Sequence, residues 1–440
     1  MNRKLLDIAR ETAGKANKAG HARVSLNRVL RSTVEWRDGK LDRLRESTGM
    51  GLGIQLFVDG RYSSNSTSDL RPEALDRFVE DTIAATRYLT RDPHRKLPNP
   101  DRYKDRTTDD LQICDEAGAK SMTPEMRREI AQEIEAAART EEGAKYIISV
   151  STGCSSAYSE SVMVSTNGME GKSRSTNFSF WAATSVKDEG DRRPREWWYA
   201  GCRNASDLPE PASIGREATR RALLMRGAGP VRSGRYPCII ENACAARLLG
   251  HLLRPLYGSV LQQDRSFLKD KKNQEVGSRF LDITDHPHIK KGLGSRTYDR
   301  EGMSTRVRPV FEKGVLKSFY LDNYYASKMD MESTSGTSTN LVFKTGDKSA
   351  VKLMEQMGEG IFITDFSGGN SNTATGDFSI GIRGMLVENG RPSIPITEMN
   401  LAGNHLEFWK ALTETGNDPY PYSSVQIPSL RFNPVQFSGI

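Results

Sequence analysis

Long apolar runs are missing from this 440-residue chain: no segment approaches the ~20 consecutive apolar residues of a membrane-spanning helix, so a helical membrane protein is excluded. Cysteine is scarce. The five present (Cys114, Cys154, Cys202, Cys238, Cys244) are odd in number and form no CxxC pair, which argues against a disulfide framework and for buried free thiols. The opening stretch MNRKLLDIARETAGKANKAG is charged and periodic and has no continuous apolar core of the signal-peptide kind, so a cytoplasmic location is expected. Charge of one sign is also in short supply, since 63 Lys and Arg stand against 56 Asp and Glu, a formal surplus of +7. Nucleic-acid binding needs a localised basic stripe, and the densest run, Lys269 to Lys272, is short and lacks interleaved aromatics; no nucleic-acid partner is expected.

The usual catalytic signatures are absent too. There is no GxSxG elbow. Gly171-Lys172-Ser173 resembles the end of a phosphate loop but has Thr166 where the first glycine must stand. GLGIQ at 51–55 falls inside a strand pattern with no helix behind it, so it is no dinucleotide turn. No HExxH occurs. Among His21, His94, His251, His286, His288 and His405, only His286 and His288 are close in sequence, beside Asp282 and Asp285, and Pro287 between them favours a loop turn over a shared metal ligand set.

What is there is an ordinary globular composition, 36% hydrophobic and 27% charged, in a chain long enough for two or three domains. Leu5, Leu6, Ile8, Ala9 and Ala13 predict an amphipathic helix over 2–18. Segments 33–36, 41–45 and 51–58 read as antiparallel strands joined by RDGK (37–40) and DGR (59–61), where Asp-Gly supplies the positive φ of a tight hairpin. Helices follow from Pro72 to about Leu89 and from Pro124 to Ala138, the latter N-capped by Thr123. Residues 145–201 return to strands in which apolar residues alternate with serine and threonine, with a turn at Asn167-Gly168.

The hairpin blocks 33–67 and 145–200, each followed by a helix (72–89 and 213–225), suggest an α+β domain of two related halves. The glycine-rich link at 227–236, with Pro230, marks a boundary between an N-terminal domain (1–229) and a C-terminal one (230–440). Beyond it, 262–300 reads as a long loop with mobile parts. From Arg306 onward, short strands alternate with glycine turns. The predicted fold class is therefore α+β: N-terminal antiparallel sheets with helices, then a β-rich barrel-like or sandwich domain.

The helix ACAARLLGHLLRP (243–255) opens that second domain. Ala245, Leu249, Leu252, Leu253 and Leu256 form its core stripe, and His251 lies off it. Arg247 and Arg254, at i−4 and i+3 from His251, are permanent cations that oppose a bound divalent metal and lower the imidazole pKa. A structural or hydrogen-bonding role is expected for this histidine rather than metal ligation.

Five stretches together resemble the TldD/PmbA family, once called modulators of DNA gyrase, over nearly the full length. They are STVEWRDGKLDRLRESTGMGLGIQLFVDGRYSSNSTSDL (32–70), LLGHLL (248–253), REGMSTRVRPVFEKGVLKSFYLDNYYASKM (300–329), ITDFSGGNSNTATGDFSIGIRGMLVENG (363–390), and TGND followed by VQIPSLRF (425–432). The TldD branch of that family carries an HExxxH helix and a C-terminal cysteine that together resemble a zinc protease site; the PmbA (TldE) branch lacks the helix motif. Here the His-Glu positions fall on Ala246 and Arg247 and the second histidine on His251, the last cysteine is Cys244, and Tyr422 or Ser423 stands near the place of the missing one.

The resemblance implies a non-catalytic TldE/PmbA-like subunit of a cytoplasmic TldD-type zinc metalloprotease that takes unfolded peptides. It implies no metal in this chain, with zinc expected only in a TldD-type partner, and as partner either a TldD-like paralogue (heterodimer) or a second copy of this chain (homodimer). Ser335, Gly336, Gly368, Gly369 and Asn370 are candidate peptide or partner contacts, or plain turn residues. Two alternatives stay open: a homodimeric peptidase with an atypical metal site from His251, His286 and His288, and a non-proteolytic regulator that binds gyrase or toxin-antitoxin proteins.

Overall fold

The computed structural model describes residues 4–440. Its first unit comprises α1 (Leu5–Ala16), β1 (His21–Arg37), β2 (Lys40–Val58), β3 (Arg61–Thr67), α2 (Pro72–Thr86), α3 (Glu116–Ser121), α4 (Pro124–Ala138), β4 (Ile147–Ser165), β5 (Glu170–Val186), β6 (Arg195–Cys202) and α5 (Pro211–Leu224). The strands form one antiparallel sheet in the order β3-β2-β1-β4-β5-β6, so two three-stranded meanders meet along β1 and β4. The strands are much longer than the hydrophobic alternation predicts. Residues 40–50 of β2 are exposed throughout, so no buried face marks them in the sequence. Thr123 caps α4 as expected, its hydroxyl accepting from Met126 N at 3.2 Å, whereas α2 stops at Thr86 instead of Leu89.

Helices cover one face of this sheet at two separate places. Leu26, Leu52, Ile54 and Val162 pack under α1 and α2, and Cys154, Phe178 and Phe180 pack under α4 and α5. Because side chains alternate along a strand, Val162 and Cys154 of β4 share a face, and residues 156–160 between them lie in the gap separating the two helix layers.

The second unit comprises β7 (Gly234–Ile240), α6 (Asn242–Leu253), α7 (Gly258–Gln262), β8 (Ile283–Asp285), β9 (Arg308–Glu312), β10 (Val315–Leu316), α8 (Asn323–Lys328), β11 (Leu341–Phe343), α9 (Ala350–Met357), β12 (Gly360–Ser371), β13 (Asp377–Glu388), β14 (Arg391–Asn404), α10 (His405–Lys410), β15 (Leu412–Thr415), β16 (Val425–Gln426) and β17 (Leu430–Ser438). One sheet runs β14-β13-β12-β7-β17-β15, and β14 also pairs with β17, which closes a barrel. A smaller sheet runs β10-β9-β8-β11-β16. The segment 262–300 is a long, mostly irregular stretch, as expected. Only β8 is regular there, yet Leu268, Val276, Leu281 and Ile283 are fully buried in the core shared with α6, which ties the segment down.

The units meet through side chains far apart in sequence. Arg383 Nη1 donates to Glu196 Oε1 at 2.7 Å, and the Tyr420 hydroxyl donates to the Tyr199 carbonyl. No helix among the described residues is long and apolar enough to cross a membrane.

Candidate functional site

Helix α6 starts directly after β7, where Glu241 N donates to the Ile363 carbonyl of β12 at 2.9 Å. Its buried face holds Cys244, Ala245, Leu248, Leu249, Leu252 and Leu253, a wider stripe than the sequence spacing predicts because β12 packs beside it. The outer face carries the three positions of interest. Ala246 is half-buried and offers no donor atom. Arg247 is exposed, and its Nη1 donates to the Phe366 carbonyl of β12. His251 is half-buried, and its pKa is lowered by burial first and by the Arg247 charge second.

The partner of His251 is a residue that the sequence left unassigned. His405, fully buried at the start of α10, faces it with ring centroids 6.3 Å apart. Its ring also stacks on Phe378 at 4.6 Å and on Phe267 at 5.8 Å. The Nε2 atom lies 2.9 Å from Ser371 Oγ, while Nδ1 is buried without a partner. Burial, with the neighbouring His251 second, pushes the His405 pKa down to about 4. At neutral pH both rings are therefore uncharged. A histidine after the helix-capping Asn404 in an apolar stretch was the only local sign, and it did not indicate which other histidine would face it.

These residues do not fit a zinc ion. Zinc needs three or four nitrogen, sulfur or oxygen donors converging at ~2.0–2.3 Å. Here the helix supplies one imidazole, a methyl group and a guanidinium that cannot lose its proton. Among the described residues no group of three or more His, Cys, Asp and Glu side chains could hold a metal. The set His251, His286 and His288 does not assemble within the chain: His288 Nε2 lies 3.1 Å from Thr305 Oγ1, and His286 Nδ1 accepts from His288 N at 3.3 Å. Tyr422, one of the two residues that the resemblance sets near the TldD-branch cysteine, packs against the apolar cluster of the first unit.

Gly368, Gly369 and Asn370 sit beside α6. They lie in β12 between Phe366, which accepts from Arg247, and Ser371, which meets His405. The register against β13 slips between Phe366 and Gly369, an exposed bulge with φ of 76° at Gly368 and 118° at Gly369. A Cβ at Gly369 would stand 2.5 Å from Ile380 Cα, whereas one at Gly368 meets nothing within 4 Å. Gly369→Ala is therefore expected to destabilise by about 1–3 kcal/mol in a thermal melt, more than Gly368→Ala. Equal losses would mean that contact with β13 does not fix this bulge.

Ser335 and Gly336 belong to a different place. Ser335 is buried and its backbone N–H donates to the Leu321 carbonyl at 3.1 Å. Gly336 lines a recess with Arg23, Tyr62 and Arg95, between the first sheet and α8.

Three family models match the chain: domain 1 of the PmbA/TldA metallopeptidases over residues 22–86, their central domain over 118–226 and their C-terminal domain over 233–439. The metalloprotease PmbA of Escherichia coli O157:H7 is 29% identical, covering 99% of this chain and 97% of its own length. A crystal structure of a candidate modulator of DNA gyrase from Bacteroides thetaiotaomicron is 38% identical, with a TM-score of 0.95, covering 99% of this chain and 98% of its own. TldE of Thermococcus kodakarensis shares the fold, with a TM-score of 0.86 at 19% identity over 98% of this chain and 100% of its own.

Proposed function

Because the chain belongs to the TldD/PmbA metallopeptidase family, we propose that it is the non-catalytic subunit of a cytoplasmic complex whose zinc and hydrolytic chemistry reside in a TldD-like paralogue. The observation that carries this reading is the outer face of α6. Where a metallopeptidase helix presents metal ligands and a general base, this one presents Ala246 and Arg247, the latter bonded to the Phe366 carbonyl, and a His251 that faces a second neutral imidazole.

The role left to such a subunit is to complete the enclosure and hold an unfolded peptide. Two features support it. Residues 40–51 of β2 pair with β1 alone, which leaves an edge able to take an extended peptide through main-chain hydrogen bonds, tolerant of its sequence. The exposed bulge at Gly368, Gly369 and Asn370 projects beside α6 as a contact for peptide or partner. On this reading the chain divides at 229/230 into a sheet unit and a unit that carries the relic helix.

Elemental analysis of the purified chain, alone and mixed with a TldD-type paralogue, tests this together with hydrolysis of an unstructured peptide. Metal and turnover are expected only in the mixture. One zinc per protomer and peptide cleavage by this chain alone would overturn the reading.

A further inference from the structure

The gap between the two helix layers of the first unit is polar where its flanks are apolar. On β1 and β4, Arg28, Leu30 and Ser32 lie in register with Glu160, Tyr158 and Ser156, on the face that elsewhere buries Leu26, Val34 and Cys154. Helices α3 and α4 wall one side with Ala119, Lys120 and Arg127, leaving a recess of about 350 Å³.

The charges around it are unbalanced. Arg174 engages both acids, Glu116 at 3.1 Å and Glu160 at 3.7 Å, and the Tyr158 hydroxyl also donates to Glu116, at 3.2 Å. Arg28, Lys120 and Arg127 make no ion pair among the described residues. Arg127 is the informative one, since it is only 4% exposed. Its Nη2 donates to Ser156 Oγ at 2.7 Å, its Nε is buried with no acceptor, and Glu46, itself bonded to Ser32, acts on it only through space. Burying a cation without a counter-charge costs stability, and such a residue is ordinarily paired. A guanidinium held in place beneath an open recess, with two further cations at the rim, has the geometry of an anion site that lacks its anion.

We propose that this recess binds a small molecule bearing one carboxylate or phosphate group, held by Arg127 with Arg28 and Lys120, with a short apolar portion against Leu30 and Ala119. The hydroxyls of Ser32, Ser156 and Tyr158 supply neutral hydrogen-bonding groups around it, and the volume is of the order of a small-ligand pocket. The site lies in the first unit, apart from α6, and stands independently of any peptidase role.

The test is the melting temperature of the full chain titrated with inorganic phosphate and, separately, with butyrate, each against chloride at equal ionic strength. A saturable rise is expected with at least one of them, weakened about tenfold or more in Arg127→Met and in Lys120→Ala. Response to phosphate alone identifies a phosphate ester as the ligand class, and response to butyrate alone a carboxylate. Without added anion, Arg127→Met is expected to melt above the wild type, because a buried cation with no bonded counter-charge is gone. If Arg127→Met does not fold, Lys120→Ala and Arg28→Ala, both at exposed rim positions, carry the comparison. No saturable rise with either anion, or the same rise in the wild type and the variants, overturns the proposal.

Discussion

Leu249→Ala and Leu252→Ala are each expected to destabilise the protein by about 2–5 kcal/mol, the range for truncating a fully buried leucine. The two side chains are 1% and 0% exposed and pack in the cluster that joins α6 to the barrel strands and to Trp409 and Phe432. Close packing leaves little room for neighbours to collapse into the cavity, which adds to the lost transfer energy. His251→Ala on the same helix should cost less than about 1 kcal/mol, because a half-buried ring with no hydrogen bond gives up only part of a stacking contact. Urea titration followed by fluorescence measures all three. Equal, large losses would mean that His251 belongs to the core and not to its rim.

Acidification provides the second large effect. His405 has its pKa pushed down to about 4 against an ordinary value of 6.5, a difference worth roughly 3 kcal/mol between the folded and unfolded chain. The unfolded chain takes up this proton as pH falls through 6.5, while the folded chain refuses it until about 4. Stability is therefore lost on acidification across that window and is regained as pH rises. Glu196 and Glu301 act with the opposite sign, since burial, the largest influence on each, raises both to about 7. Their stabilisation is fully present below the ordinary carboxyl pKa of 4.5 and fades as pH rises through about 7.

The difference between wild type and His405→Phe isolates the histidine. A phenyl ring keeps the stacks on Phe378 and Phe267 and carries no proton. The variant should lose less stability than wild type between pH 7 and pH 4.5 (roughly the window in which the linkage acts). Identical pH profiles would mean that the His405 ring is hydrated or takes up its proton without unfolding.

Local chemistry was readable from the chain wherever it was dictated locally. Thr123 before Pro124 caps α4 because a hydroxyl at that place can only meet the free N–H groups of the first turn. Asp38-Gly39 and Asp59-Gly60 make the hairpins because both residues of each pair have positive φ. The α+β character of the first unit and the barrel-like second unit follow from patterns of that kind. The reach of β2 was not legible, since a strand exposed on both faces has no hydrophobic period.

What only the tertiary structure decided are the pairings between residues far apart in the chain. The sequence determined that α6 lacks a metal-binding set; that His251 faces His405 depends on how β12 and α10 pack around the helix. Residue type likewise made Arg127 a cation, but the two helix layers, by stopping short of each other, left it buried with no carboxylate bonded to it. Propensity and capping act over a few residues and are written in the sequence. Burial, desolvation and charge pairing are set by neighbours that the chain brings together only when the sheet and the barrel have closed.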